Sequence, residues 1–108
     1  MIKSGVDLRG ITPQMAIAYT IASNIYRQHC NVVCVITSAS DGKHGEHSLH
    51  YKGKALDLLT FNIPTSAISL VVSTLRQNLG EQFDVVLESD HIHIEFDPKE
   101  SPKLEETA

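Results

Sequence analysis

Five of the six histidines in this 108-residue chain lie in two short clusters. The first cluster is His44, His47 and His50, and the second is His91 and His93. Neutral imidazole is the commonest metal ligand among side chains, and imidazole also exchanges protons near neutral pH. The spacing therefore indicates either a metal site or an acid–base site.

The second cluster lies in a stretch that alternates polar and apolar residues, His91-Ile92-His93-Ile94-Glu95-Phe96. Side chains alternate between the two faces of a β-strand, so this pattern predicts a strand with an apolar core face. His91, His93 and Glu95 then share the open face. Two acidic residues, Glu88 and Asp90, come just before them.

Asp57 is a carboxylate within a short apolar stretch that is typical of a buried strand. An ionised carboxylate there is costly unless it is paired or bound to a metal. His50, Asp57 and His93 together offer two nitrogens and one oxygen, and catalytic zinc is held by three protein ligands with one position left for water. Zinc lowers the pKa of its water, and a nearby carboxylate, Asp90 or Glu88, is then able to accept the proton.

The helices and strands that must position these residues are predicted from the periodicity of apolar residues and from signals at helix ends, such as the helix start at Thr12-Pro13. The pattern predicts a helix over 13–29, a strand over 31–37, a loop over 38–52, a strand over 54–60, a helix from 64 or 65, and a hairpin of strands over 83–87 and 91–96. This order favours an α+β fold in which two helices pack on one face of a small, mostly antiparallel sheet. We expect a single domain over residues 1–97 and a flexible tail over 98–108.

Composition narrows the class of protein. The chain is 42% hydrophobic and 20% charged, which is ordinary for a globular protein, and its net charge is −4 with scattered cations. We therefore expect no nucleic-acid partner. The uncharged apolar stretches are too short to span a bilayer, so we expect no membrane span, and we also expect a monomer. The N-terminus lacks the apolar region of a signal peptide, so we expect synthesis in a cytoplasm. Cys30 and Cys34 are expected to be thiols.

Two segments together resemble a known superfamily. The segment from Ser48 to Asp57 fits the motif S-x-H-x-x-G-x-A-x-D, and Asp90-His91-Ile92-His93 fits D-H-x-H. In this order the motifs resemble the D-alanyl-D-alanine carboxypeptidase-type zinc peptidases, which have the Hedgehog/DD-peptidase fold. The stretch from Asp41 to His44, followed by the stretch from Ser48 to Tyr51, especially resembles Hedgehog, and small phage-encoded members share this similarity. The resemblance covers about residues 30 to 97.

The resemblance implies one Zn²⁺ per chain, with His50, Asp57 and His93 as its ligands. It also implies a general base just before the last ligand, where Asp90 is favoured over Glu88. His91 would lie beside the zinc and stabilise the oxyanion of the scissile carbonyl.

Three further residues are implied on the substrate side. His44 resembles a histidine that lines the same cleft, and Ser48 would shape the loop or contact substrate. Many carboxypeptidase members clamp the terminal carboxylate with an arginine, for which only Lys43 stands in here. Gly53 and Ala55 would allow close approach to the metal.

The implied function is a zinc metallopeptidase that hydrolyses peptide bonds of bacterial peptidoglycan, in a stem peptide or a cross-link. It would act as a carboxypeptidase or an endopeptidase, as in an endolysin of a bacteriophage or prophage that reaches the cell wall once released. Two alternatives remain open. One is a zinc-containing Hedgehog-like binding module, and the other is a virion-associated domain with a structural zinc and no peptidase activity.

Overall fold

A computed structural model describes residues 1–39 and 52–98 of the chain. Their regular elements are the helices α1 (Pro13–Cys30) and α2 (Ile68–Leu79), a short 3₁₀ turn (Thr65–Ala67), and the strands β1 (Ile36–Ser38), β2 (Ala55–Leu59), β3 (Phe83–Leu87) and β4 (His91–Phe96). The α+β class is therefore confirmed. Neither helix in these ranges is long and apolar enough to cross a membrane.

The four strands form one antiparallel sheet in the order β1-β2-β4-β3. A three-residue link, 88–90, joins β3 to β4 as the predicted hairpin. β2 comes from a distant part of the chain and inserts beside β4, so β2 and β4 are the two central strands. The predicted site residues Asp57 and His93 lie on these two strands.

One face of the sheet and one side of each helix form the hydrophobic core. The largest buried side chains from the strands include Leu56, Leu58, Ile92 and Ile94, and those from the helices include Met15, Tyr26, Val71 and Leu75. Removing this apolar surface from water is the main driving force for folding. Because side chains alternate along each strand, the opposite face carries Asp57, His91, His93 and Glu95.

Helix α1 begins at the predicted Pro13 and ends at Cys30, one residue beyond the predicted end. The Thr12 side chain accepts a hydrogen bond from the Met15 amide, and Pro13 occupies the first turn. At the other end, Asn31 has a left-handed conformation with φ of 54°, and its amide donates to the Arg27 carbonyl. Asparagine tolerates this conformation better than most residues, which explains the helix stop.

The predicted strand over 31–37 is wrong in extent, because regular pairing begins only at Ile36. Side chains satisfy carbonyl groups upstream of that point. The Asn62 side chain donates to the Val33 carbonyl over 2.7 Å, and the Tyr19 hydroxyl donates to the Cys34 carbonyl over 2.8 Å. The Val35 carbonyl accepts from the Leu59 amide of β2 over 2.9 Å, so the segment makes one backbone bond to the sheet before regular pairing begins.

The N-terminal segment, predicted as irregular, also contacts the sheet. Ile2 forms an isolated parallel bridge with Ile36, and the Lys3 amide donates to the Ile36 carbonyl over 2.9 Å. This contact brings Lys3 to the edge of the sheet near the open face.

Candidate functional site

Asp57 and His93 occupy directly opposed positions on β2 and β4. The Oδ1 atom of Asp57 lies 2.9 Å from Nδ1 of His93, although the residues are 36 positions apart in the chain. Asp57 is only 8% exposed. A carboxylate this buried requires a strong partner, and a charge-assisted hydrogen bond from imidazole supplies one.

Glu95 contacts the other nitrogen of the same ring. Its Oε1 atom lies 2.7 Å from Nε2 of His93, and both residues project from the open face of β4. The hydrogen bond with Asp57 raises the pKa of His93 to about 8, burial opposes this rise, and the bond with Glu95 reinforces it. In the metal-free protein, His93 therefore favours the imidazolium form, in which both nitrogens donate.

His91 lies next to this pair and is held by Asp90. Nδ1 of His91 donates to Oδ1 of Asp90 over 2.6 Å. The remaining nitrogen, Nε2, lies 3.7 Å from Oδ1 of Asp57, which is too long for a hydrogen bond. Nitrogens of both histidines on β4 thus converge on one oxygen of Asp57.

The two predicted base residues flank His91 from different sides. Asp90 precedes it in the chain and has a largely exposed side chain. The backbone amide of Glu88 donates to the His91 carbonyl over 2.8 Å, so Glu88 lies opposite His91 across the hairpin. Cross-strand partners share a face of the sheet, which puts Glu88 on the open face as well.

The donors that meet here suit zinc. Zinc binds imidazole nitrogen and carboxylate oxygen at about 2.0–2.2 Å, so two donors in a tetrahedral site lie roughly 3.4 Å apart. Asp57 Oδ1 and His93 Nδ1 are 2.9 Å apart. A displacement of about half an ångström would therefore separate them enough to share one ion.

Four of the predicted site residues lie outside the described residues. They are the third ligand, His50, and the three substrate-side residues Lys43, His44 and Ser48. Most of the predicted tail, 99–108, also lies outside them. Asp57, Glu88, Asp90, His91 and His93 are the predicted site residues that the structure brings together.

The hairpin and the residue that follows it also form a cluster of three acidic side chains, which was not predicted from the sequence. Asp84, Glu95 and Asp97 each offer a carboxylate oxygen within 4.8 Å of the others. The feature that could have indicated this cluster is the register of the hairpin, in which Asp84 pairs with Glu95. An all-oxygen set suits hard cations better than zinc, and acidic groups of this kind are common without an ion.

A cleft of about 270 Å³ opens beside His91. It is lined by Lys3, Thr37, Leu59, Phe61, Asp90 and His91. Phe61 is 82% exposed, which is unusual for a side chain with so much apolar surface. Lys3 and Phe61 were not predicted as site residues, because nothing in the local sequence relates either of them to the histidines.

Gly53 has a steric role that the motif did not indicate. Its φ is +70°, and a Cβ atom placed on it would lie 1.9 Å from the Gly10 carbonyl oxygen. Its own carbonyl accepts a hydrogen bond from the Thr12 amide over 2.9 Å. The glycine is therefore required where the N-terminal segment crosses the start of β2, and its expected role in close approach to a metal stays a prediction.

No family model matches the chain, and no curated protein sequence matches it. The function of the site must therefore be inferred from the motifs and from the geometry of the residues themselves.

Proposed function

We propose that the chain is a zinc-dependent metallopeptidase that hydrolyses peptide bonds of bacterial peptidoglycan. One observation carries the proposal: Asp57 and His93, which come from two separate motifs, have their donor atoms 2.9 Å apart on adjacent strands. The strand register therefore brings one carboxylate oxygen and one imidazole nitrogen, both donors that zinc prefers, to the same place on the open face.

In this proposal His50, Asp57 and His93 hold one Zn²⁺. The bound zinc supplies Lewis acidity, which polarises the scissile carbonyl and lowers the pKa of a water. Asp57 and His93 lie on the two central strands, so the sheet fixes two of the three ligands rigidly. Rigid elements hold metal ligands more accurately than loops do.

The residues beside the ligands have roles in moving protons and binding the oxyanion. Oδ1 of Asp90 accepts from Nδ1 of His91, and this bond fixes the direction of Nε2 towards the ligand pair. In its protonated form, Nε2 donates to the oxygen that becomes negative during amide hydrolysis. Asp90 remains our favoured base, because its side chain is largely exposed and its second oxygen is able to accept a proton, with Glu88 as the alternative.

The fold and the substrate class belong to the same proposal. A four-stranded antiparallel sheet with helices on one face and ligand residues on the other supports a Hedgehog/DD-peptidase-like fold. The cleft of about 270 Å³ beside His91 offers room for part of a stem peptide or a cross-link next to the ligand pair. We propose a bacteriophage or prophage lysis protein, made in the host cytoplasm, as the biological setting.

The test is a digest of purified peptidoglycan by the zinc-loaded full chain, with released fragments identified by mass spectrometry. New fragments should appear with the wild type and should disappear after chelation and in Asp57→Ala. Glu81→Ala serves as the matched control, because it removes an exposed carboxylate away from the site. The fragment masses identify the bond and distinguish a carboxypeptidase from an endopeptidase.

Two outcomes would contradict the peptidase. A folded, zinc-loaded chain that releases no fragments but binds peptidoglycan would support the Hedgehog-like binding module. A chain that binds no zinc would overturn the metal site itself. Loss of the general base should lower kcat by about 10²-fold or more, so wild-type kcat in Asp90→Ala or in Glu88→Ala excludes that residue as the base.

A further inference from the structure

The two nitrogens of the His93 ring have different partners, and only one of those partners belongs to the proposed ligand set. Nδ1 faces Asp57 at 2.9 Å, while Nε2 faces Oε1 of Glu95 at 2.7 Å. Glu95 fits neither sequence motif, and the proposed mechanism gives it no role. Its contact with His93 is nevertheless the shorter of the two.

The backbone explains why Glu95 is able to reach this nitrogen. Residues two apart on a strand share a face, and β4 places Glu95 next to His93 on the open side of the sheet. The side chains of His93 and Glu95 are 19% and 24% exposed. Partial exclusion of water strengthens a hydrogen bond of this kind relative to one at a fully exposed site.

A neutral imidazole has one N–H and one lone pair, and only the lone pair binds a metal. When Glu95 accepts the Nε2 proton, the lone pair is left on Nδ1, which is the nitrogen that faces Asp57. A carboxylate in this position fixes the tautomer, orients the ring and increases the basicity of the ligand nitrogen.

We propose that Glu95 is the positioning residue for His93, and that its carboxylate sets Nδ1 as the nitrogen that binds the metal. This inference rests on the proposed metal site, but it does not depend on peptidase activity. Glu95 acts through the imidazole and contacts no substrate.

The neighbouring acidic residues provide a sharp control. Asp84 pairs with Glu95 across the hairpin, and their carboxylate oxygens lie within 4.8 Å of each other. The oxygen that bonds Nε2 of His93 is nevertheless that of Glu95. Asp84→Asn therefore removes a similar negative charge from the same place while it leaves the hydrogen bond to His93 intact.

The test measures the Zn²⁺ affinity of the full chain by competition with a chromophoric chelator. Loss of a residue that orients a metal-bound histidine costs about 10- to 100-fold in metal affinity, and we expect this loss in Glu95→Ala. Glu95→Gln keeps an oxygen that accepts from Nε2, so its affinity should fall between those of Glu95→Ala and the wild type. Asp84→Asn should stay within about threefold of the wild type, and thermal unfolding of each metal-free variant verifies its fold.

A second readout follows the tautomer directly. Long-range ¹H–¹⁵N NMR of the zinc-loaded wild type should show the His93 proton on Nε2, and Glu95→Ala should lose this single state. Wild-type affinity in Glu95→Ala, or an equal loss in Asp84→Asn, would overturn the role of Glu95 and leave the peptidase proposal standing. A wild type that binds no Zn²⁺ would overturn the proposed function, and the inference with it.

Discussion

Asp57 and His93 face each other across the two central strands, and their hydrogen bond of 2.9 Å is the contact around which the open face is organised. His91 approaches the same oxygen of Asp57, and Glu95 holds the far side of the His93 ring. This part of the sheet is polar and partly shielded, so its interactions are stronger than those at a fully exposed surface.

The first prediction concerns the titration of His93 in the metal-free protein. Its imidazole should titrate near pH 8, above the ordinary value of 6.5, because Asp57 and Glu95 both stabilise the charged form. NMR of the ring protons in the presence of a chelator measures this midpoint. Asp57→Asn keeps the shape of the partner without its charge, and it should lower the midpoint.

The same shift determines how His93 affects stability. The folded pKa lies above the unfolded one, so the contribution is complete below about pH 6.5 and is lost as pH rises through 8. Solvent screening limits the contribution to about 1 kcal/mol. Urea unfolding of the chelator-treated protein from pH 6 to 9 tests this. Equal pH dependence in the wild type and in His93→Gln would contradict it.

The second prediction compares two glycines that both have positive φ. Gly53→Ala places a Cβ atom against the Gly10 carbonyl and should destabilise the fold by more than about 2 kcal/mol. Gly10→Ala meets no atom within 4 Å and should cost only the left-handed strain, about 1 kcal/mol. Urea unfolding measures both. Equal losses would mean that the crossing of the two segments is looser than the structure indicates.

The third prediction concerns the thiol of Cys34. Burial raises its pKa to about 12, so the thiol is both protonated and inaccessible in the folded chain. In Cys30→Ser, where Cys34 is the only remaining thiol, an aromatic disulfide reagent at pH 8 should react only as fast as the chain opens. Unfolding in urea should release a full equivalent.

Ionisation of Cys34 also predicts a loss of stability in alkali. An unfolded thiol ionises near pH 8.5, so its contribution to stability is complete below that pH and falls as pH rises towards 12. Cys34→Ala should reduce the slope of the free energy of unfolding above pH 8.5. An unchanged slope would show that other groups dominate the alkaline transition.

The fourth prediction tests the link between α1 and β2. Tyr26 is fully buried, and its hydroxyl donates to the Leu59 carbonyl over 2.8 Å. Tyr26→Phe leaves that carbonyl without its donor and should cost about 1–2 kcal/mol in the free energy of unfolding. Ser73→Ala removes an exposed hydroxyl from α2 and should change stability by less than about 0.5 kcal/mol.

The sequence by itself determined the local elements and the faces of the strands. Apolar spacing located both helices, and the alternation over His91–Phe96 assigned the histidines to the open face. The close spacing of 83–87 and 91–96 determined the hairpin. These features depend on neighbours in the chain, whose periodicity is set by backbone geometry alone.

Only the tertiary structure decided which distant residues meet. Periodicity specifies the face of Asp57 but not the strand beside it, and a shift of one residue in register would have separated it from His93. The Nε2 partner of His93 and the cleft formed by Lys3 and Phe61 likewise arise from long-range packing. Gly53 lies within a sequence motif, but the steric need for glycine there comes from the Gly10 carbonyl, more than forty residues earlier in the chain. No local sequence pattern relates two residues that are so far apart.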